Sequence, residues 1–299
     1  MSCPAVVPNA EIYLYHSFHR HYGKDANRRI SMGMLRSMLK RGLLMVDELQ
    51  TAPAVGALPA ATIRQKRICF TALEEVNVRA HQEVFGDFSL EFDAQVLRGF
   101  GAQPAAYLTT AIRGGELLHD AGDQVLRHLG SAYEALFKLW KLGESPDKDL
   151  LAARGKVMSE IFPHAHPVET LAFAVETILN LYYPTDLPTS SPLQFFRQRE
   201  WKIVPNMAYK GVWHYPPLGD QAREELLKIA PIFFMADFCG EPRVNHCSIF
   251  SEVGGRHLLH EARRLIVPDA YAAEARQVVK EEGDVIAVVP ISALPQPPP

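Results

Sequence analysis

A long helical stretch set inside a strand-bearing chain constrains this fold more than any other feature. From about Glu116 to Tyr183 the apolar residues recur at helical spacing, with Leu126, Leu129, Tyr133, Leu136, Phe137 and Trp140 on one stripe. "PVETLAFAVETILNLYY" opens with Pro167 at a first helical turn, and "PTDLPTSSP" closes the region as a loop. Strand character lies on both sides. "YLYHSF" alternates, "RICFT" reads as a buried strand, and "DFSLEFD" places Phe88, Leu90 and Phe92 on one face of a half-buried strand. "QPAAYLTT" and "FFRQREWKIV" read as strands too, and "RRLIVP", "DAYAAEARQVVKEEG" and "VIAVVPI" form a βαβ-like unit near the end.

Three further helices are expected on the strand-bearing parts. "MGMLRSMLKRGLLM" has Met34, Leu35, Met38 and Leu39 at helical spacing, with Gly42 as its stop and a Pro/Ala-rich loop, "TAPAVGALPAA", after it. "ALEEVNVRAHQEVFG" and "GDQAREELLKIAP" are the others. The expected fold class is α+β: a mixed-sheet core from residues 1–112 and 190–292, interrupted by a helical insert over 113–189, with a Pro-rich tail over 293–299.

With 299 residues, 47% hydrophobic and 22% charged, the chain can bury a large core. A net charge of −3 removes a broad basic field for nucleic acid and leaves only a local basic patch open. No secretory pattern opens the sequence, and no apolar run is long enough to span a bilayer. Four cysteines do not make a disulfide scaffold in a chain of this length, so a reduced, cytoplasmic protein is expected.

"QREWKIV" puts an acidic residue inside a strand. Gln198, Glu200 and Lys202 share one face there, and Arg199, Trp201 and Ile203 share the other. Glu200 is either half of a solvated Glu–Lys or Glu–Arg pair, or a carboxylate that stabilises oxocarbenium-like charge as a glycosidic bond breaks. His16, His19 and His21 offer nitrogen ligands, or a hydrogen bond to a sugar hydroxyl, or mere surface positions. Cys239, His246, Cys247, His257 and His260 cluster in sequence, but Cys-x6-His-Cys is not a zinc spacing and no metal is expected. A glycine-rich phosphate loop and a G-x-S-x-G elbow are both missing from the sequence.

The order "YHSF", "RICFTAL", "HQEVFGDFSLEF", "GAQPAAYL", "RQREWKIV" and "RLIVPDAYAAEARQVV" resembles the AbiGi family, bacterial abortive phage-resistance antitoxins. The resemblance implies a setting in phage defence and toxin–antitoxin pairing. At a distance the same skeleton looks like ADP-ribosyltransferases, which carry an early histidine, a middle Ser/Thr/Tyr and a late Gln-x-Glu or Glu-x-Glu. That likeness implies NAD as substrate, with His16 orienting the ribose, Thr71 lining the nicotinamide pocket, Glu200 stabilising the transition state and Gln198 positioning the acceptor. The other reading is a non-catalytic antitoxin that grips a toxin or phage protein through the insert, around Tyr133, Phe137 and Trp140.

Overall fold

A computed structural model of the chain describes residues 13–18, 24–52, 61–108, 121–161, 168–184, 199–204, 208–209, 212–213 and 217–295. The fold is α+β, with a mixed, mostly antiparallel sheet. Its strands are β1 (Tyr13–Phe18), β2 (Leu43–Ala52), β3 (Ala61–Leu73), β4 (Phe88–Asp93) and β5 (Gln103–Pro104). A short pair, β6 (Ala106–Leu108) and β7 (Tyr182–Pro184), stands apart, as do three two-residue hairpins among the described residues, and β8 (Glu200–Ile203), β9 (Ser248–Phe250), β10 (Arg264–Val267) and β11 (Ala287–Pro290) belong to the main sheet. The sheet order is β9-β2-β3-β1-β4-β10-β11, with β8 on β3 and β5 on β8.

Helix α1 (Lys24–Arg41) ends at Gly42, whose φ of +110° few other residues adopt and whose N–H bonds the Met38 carbonyl at 2.7 Å. The chain turns there directly into β2. The sequence reading stopped the helix at Gly42, as observed, but passed from there to a Pro/Ala-rich loop, and the ten-residue strand after Gly42 is a correction to it. Further on come α2 (Val78–Phe85), α3 (Ala94–Gly99), α4 (Ala121–Leu142), α5 (Lys148–Ile161), α6 (Val168–Leu181), α7 (Asp220–Ile229) and α8 (Ala272–Glu281). Asp93 caps α3, its carboxylate accepting from the Gln95 and Val96 N–H groups. The βαβ unit is present: β10 and β11 run parallel, with α8 between them.

One sheet face carries the main core. Leu14, Ile68, Phe70, Phe88, Leu90, Phe92 and Leu265 pack there against Leu35 and Met38 of α1 and Ala275 and Val278 of α8. Each such side chain contributes about 1.5–3 kcal/mol by leaving water. Strand β4 was expected to be half-buried, yet Ser89 and Glu91 on its second face are fully buried as well. Helix α2 covers that face, and Glu91 is neutralised where it lies. It accepts from the Tyr15 hydroxyl at 2.8 Å and from Arg264, whose other bond goes to Glu75. Among the described residues no helix is long and apolar enough to cross a membrane.

Candidate functional site

Antiparallel register decides which candidate residues meet, because residues directly opposite each other share a face. Glu200 pairs with Thr71, Thr71 with Tyr15, Tyr15 with Glu91, and Glu91 with Arg264. These five residues form one polar row across the second face. Thr71 and Glu200 are therefore neighbours, about 5 Å apart at Cβ by sheet geometry. His16 is one residue out of phase with Tyr15 and lies on the opposite face, among Phe18 and Phe70. Its Nδ1–H donates to the Cys69 carbonyl at 2.8 Å, and burial lowers its pKa. The structure thus joins Thr71 to Glu200 and leaves His16 half-buried on the apolar face, beside Phe18 and Phe70. Gln198, His19 and His21 lie outside the described residues.

Glu200 is 9% exposed and Thr71 7%. The carboxylate Oε2 of Glu200 is buried without a hydrogen-bond partner among the described residues. Its main chain is held by Tyr107, whose hydroxyl donates to the Glu200 carbonyl at 3.1 Å and accepts from the Glu200 N–H. Burial, then the nearby Glu200 charge, pushes the Cys69 thiol far above its usual range.

Lys202 shares the face of Glu200 and is fully buried. Its ammonium donates to the carbonyls of Tyr182 at 2.9 Å and of Asn180 and Leu181 at 3.4 Å, the last turn of α6 and the residue after it. A cation at a helix C-terminus satisfies carbonyls that the helix itself leaves open. Burial, then repulsion from Arg67, lowers its pKa to about 8. Gln65 adds bonds to the Leu179 and Tyr182 carbonyls, and the Lys66 N–H donates to the Asn180 side chain. The α6 end is fastened to the sheet by polar groups rather than by a thick apolar layer.

The histidine that does reach this face is His81, which sequence reasoning passed over. Its Nε2 lies 2.9 Å from Thr71 Oγ1 and its Nδ1 2.9 Å from Ser17 Oγ. Val78, His81 and Gln82 recur at i, i+3 and i+4 and are all buried on α2. Two hydrogen-bonding side chains on an apolar helix face are the legible signal that was missed.

Among the described residues no group of three or more His, Cys, Asp or Glu side chains is placed to hold a metal. Cys239 is exposed, Cys247 is buried against the Arg243 carbonyl at 3.4 Å, and the His257 and His260 rings lie 4.7 Å apart, tilted by 38°. A groove of about 540 Å³ lies among α1, α7 and α8, lined by Arg29, Met32, Arg36, Lys228 and Ile229. It adjoins helices that pack the Phe70 face, and none of its lining residues belongs to the Glu200 row. On the insert, Tyr133 packs near Leu179 and Tyr182, the Trp140 ring lies 5.7 Å from Phe173, and Phe137 stays 37% exposed.

No family model matches the chain, and neither the curated proteins nor the solved structures contain a match.

Proposed function

We propose that the chain is an AbiGi-type phage-defence protein whose core binds NAD at the Glu200 face and transfers ADP-ribose. One observation carries the reading: a carboxylate oxygen of a nine-tenths buried residue, lacking a donor among the described residues, beside the Thr71 hydroxyl. An orphaned buried acceptor costs stability, about 1–3 kcal/mol, and such costs concentrate where a ligand supplies the missing partner. When the bond between nicotinamide and ribose breaks, positive charge develops on the sugar and Glu200 stabilises it. Thr71 holds the nicotinamide side, and Gln198 positions the acceptor nucleophile. His16 is left out of this site and serves the core.

Titration calorimetry with NAD tests the reading on the wild type and on Glu200→Ala and Thr71→Val. Saturable binding that both changes weaken supports it. Absence of binding by the wild type at millimolar NAD refutes it.

A partner-binding antitoxin is the second reading, and a separate observation favours it. Phe137, Leu142, Leu150, Val157 and Ile178, all on α4–α6, are more than a third exposed. Exposed apolar side chains gathered on one module suit a protein partner. Replacing Phe137 and Leu150 by Glu would then abolish neutralisation of a cognate toxin in co-expression, while toxin control unchanged by both substitutions would end this reading.

A further inference from the structure

The Glu200 face contains a hydrogen-bonded chain whose direction can be worked out. Gln82 Nε2 donates to the Ile266 carbonyl and to Ser89 Oγ, both at 3.1 Å. The carbonyl can only accept, so the amide nitrogen is fixed as the donor toward Ser89. Ser89 is fully buried, and its one other partner among the described residues is Ser17, at 2.6 Å. The Ser89 proton therefore goes to Ser17. Among the described residues Ser17 Oγ in turn has only Ser89 and His81 Nδ1 as partners, so its own proton goes to His81. An imidazole that accepts at Nδ1 carries its hydrogen on Nε2 and donates it to Thr71 Oγ1. An imidazolium would leave the Ser17 proton with no acceptor. The Thr71 proton, at the end of the chain, has no acceptor among the described residues.

We propose that His81 is the positioning residue of the Glu200 site, leaving the Thr71 proton to be donated to a ligand beside a carboxylate that lacks a donor among the described residues. A ligand group bridging the two must accept from Thr71 and donate to Glu200 Oε2 at once. An alcohol hydroxyl does both, whereas a phosphate or carboxylate oxygen does only the first. The inference rests on the reading of this face as a ligand site and assigns the chemistry of the group that enters it. The charged and polar groups facing the chain are Glu200 and Tyr15 from the sheet, and the Glu91–Arg264 pair one strand further on.

Long-range proton–nitrogen NMR on the full chain, with the His81 ring identified by its loss in His81→Gln, reads the tautomer directly. The Nε2–H form at neutral pH is expected; the Nδ1–H form or an imidazolium overturns the proposal. Calorimetry with NAD then compares Ser17→Ala with Ser17→Thr. Ser17→Ala removes the donor that fixes His81 without touching the Thr71–Glu200 position, and should weaken NAD binding about tenfold. Ser17→Thr keeps the hydroxyl and should restore it. Unchanged affinity in Ser17→Ala, with only a lower melting temperature, would show the chain to be scaffolding and overturn the proposal. Failure of the wild type to bind NAD refutes the NAD reading alone, and the tautomer still decides the direction of the chain.

Discussion

Lys202 predicts an unusual response of stability to alkaline pH. The side chain is fully buried, and burial lowers its pKa from an ordinary 10.5 to about 8. Below pH 8 the ammonium is charged in both folded and unfolded chains, and the folded chain bears the full cost of burying it. Between 8 and 10.5 the unfolded chain binds more protons than the folded one, so stability rises with pH. From pH 7 to 9.5 the gain is about 2 kcal/mol. Two thiols act in the opposite sense. Burial raises Cys69 far up and Cys247 to about 12, against an ordinary 9.0, so both ionise first in the unfolded chain. Each removes about 1 kcal/mol by pH 9.5. In the wild type the opposing effects nearly cancel, and stability should stay flat. In Lys202→Met the thiols remain, joined weakly by the Tyr15, Tyr107 and Tyr133 hydroxyls that burial also raises, and stability should fall by about 2 kcal/mol over the same range. Urea unfolding under reducing conditions at pH 7.0 and 9.5 measures both chains, and groups common to them drop out of the difference. Parallel pH dependence in the two would refute the assignment of a buried, perturbed lysine.

Other expectations follow from the packing. Arg264→Met leaves the buried Glu91 carboxylate only the Tyr15 hydroxyl and the more exposed Arg263 among the described residues, and should cost about 3 kcal/mol in urea unfolding. Phe92→Ala opens the main core and should cost about 3–5 kcal/mol by the same measurement. Gly42→Ala forces an L residue to a φ of +110° with its Cβ 2.5 Å from the Phe250 carbonyl oxygen, so its melting temperature should drop clearly. His16→Ala should lower the melting temperature and leave any NAD titration unchanged; lost affinity at an unaltered melting temperature would return His16 to the site.

The periodic elements were readable because their burial is one-sided. Helices α4 and α6, strand β1 and the βαβ unit of β10, α8 and β11 all lie where hydrophobic spacing puts them. Strand β2 was not readable, because "LLM" continues the apolar spacing of α1 and only the positive φ of Gly42 separates the two. Strand β4 was read with one wet face because Ser89 and Glu91 look like solvent-facing residues. Their partners, Tyr15, Gln82 and Arg264, are far away in sequence, and no local pattern announces them. The candidate site shows the same division. Thr71 and Glu200 could be named from motif order, but whether His16 joined them depended on strand phase, a matter of one residue.

The parallel pairing of β6 with β7 sets the departure and return of α4–α6 side by side, with Ala106 opposite Tyr182. Lys202 and Gln65 grip the backbone at that same return point. Closing a loop between fixed ends depends only weakly on its length, about 0.6 kcal/mol for each doubling. The excursion can therefore lengthen, shorten or be exchanged for a different set of helices while the sheet keeps its register. Descent with a constant sheet and a variable helical module is open to this architecture, and so is the grafting of a new module between Leu108 and Tyr182.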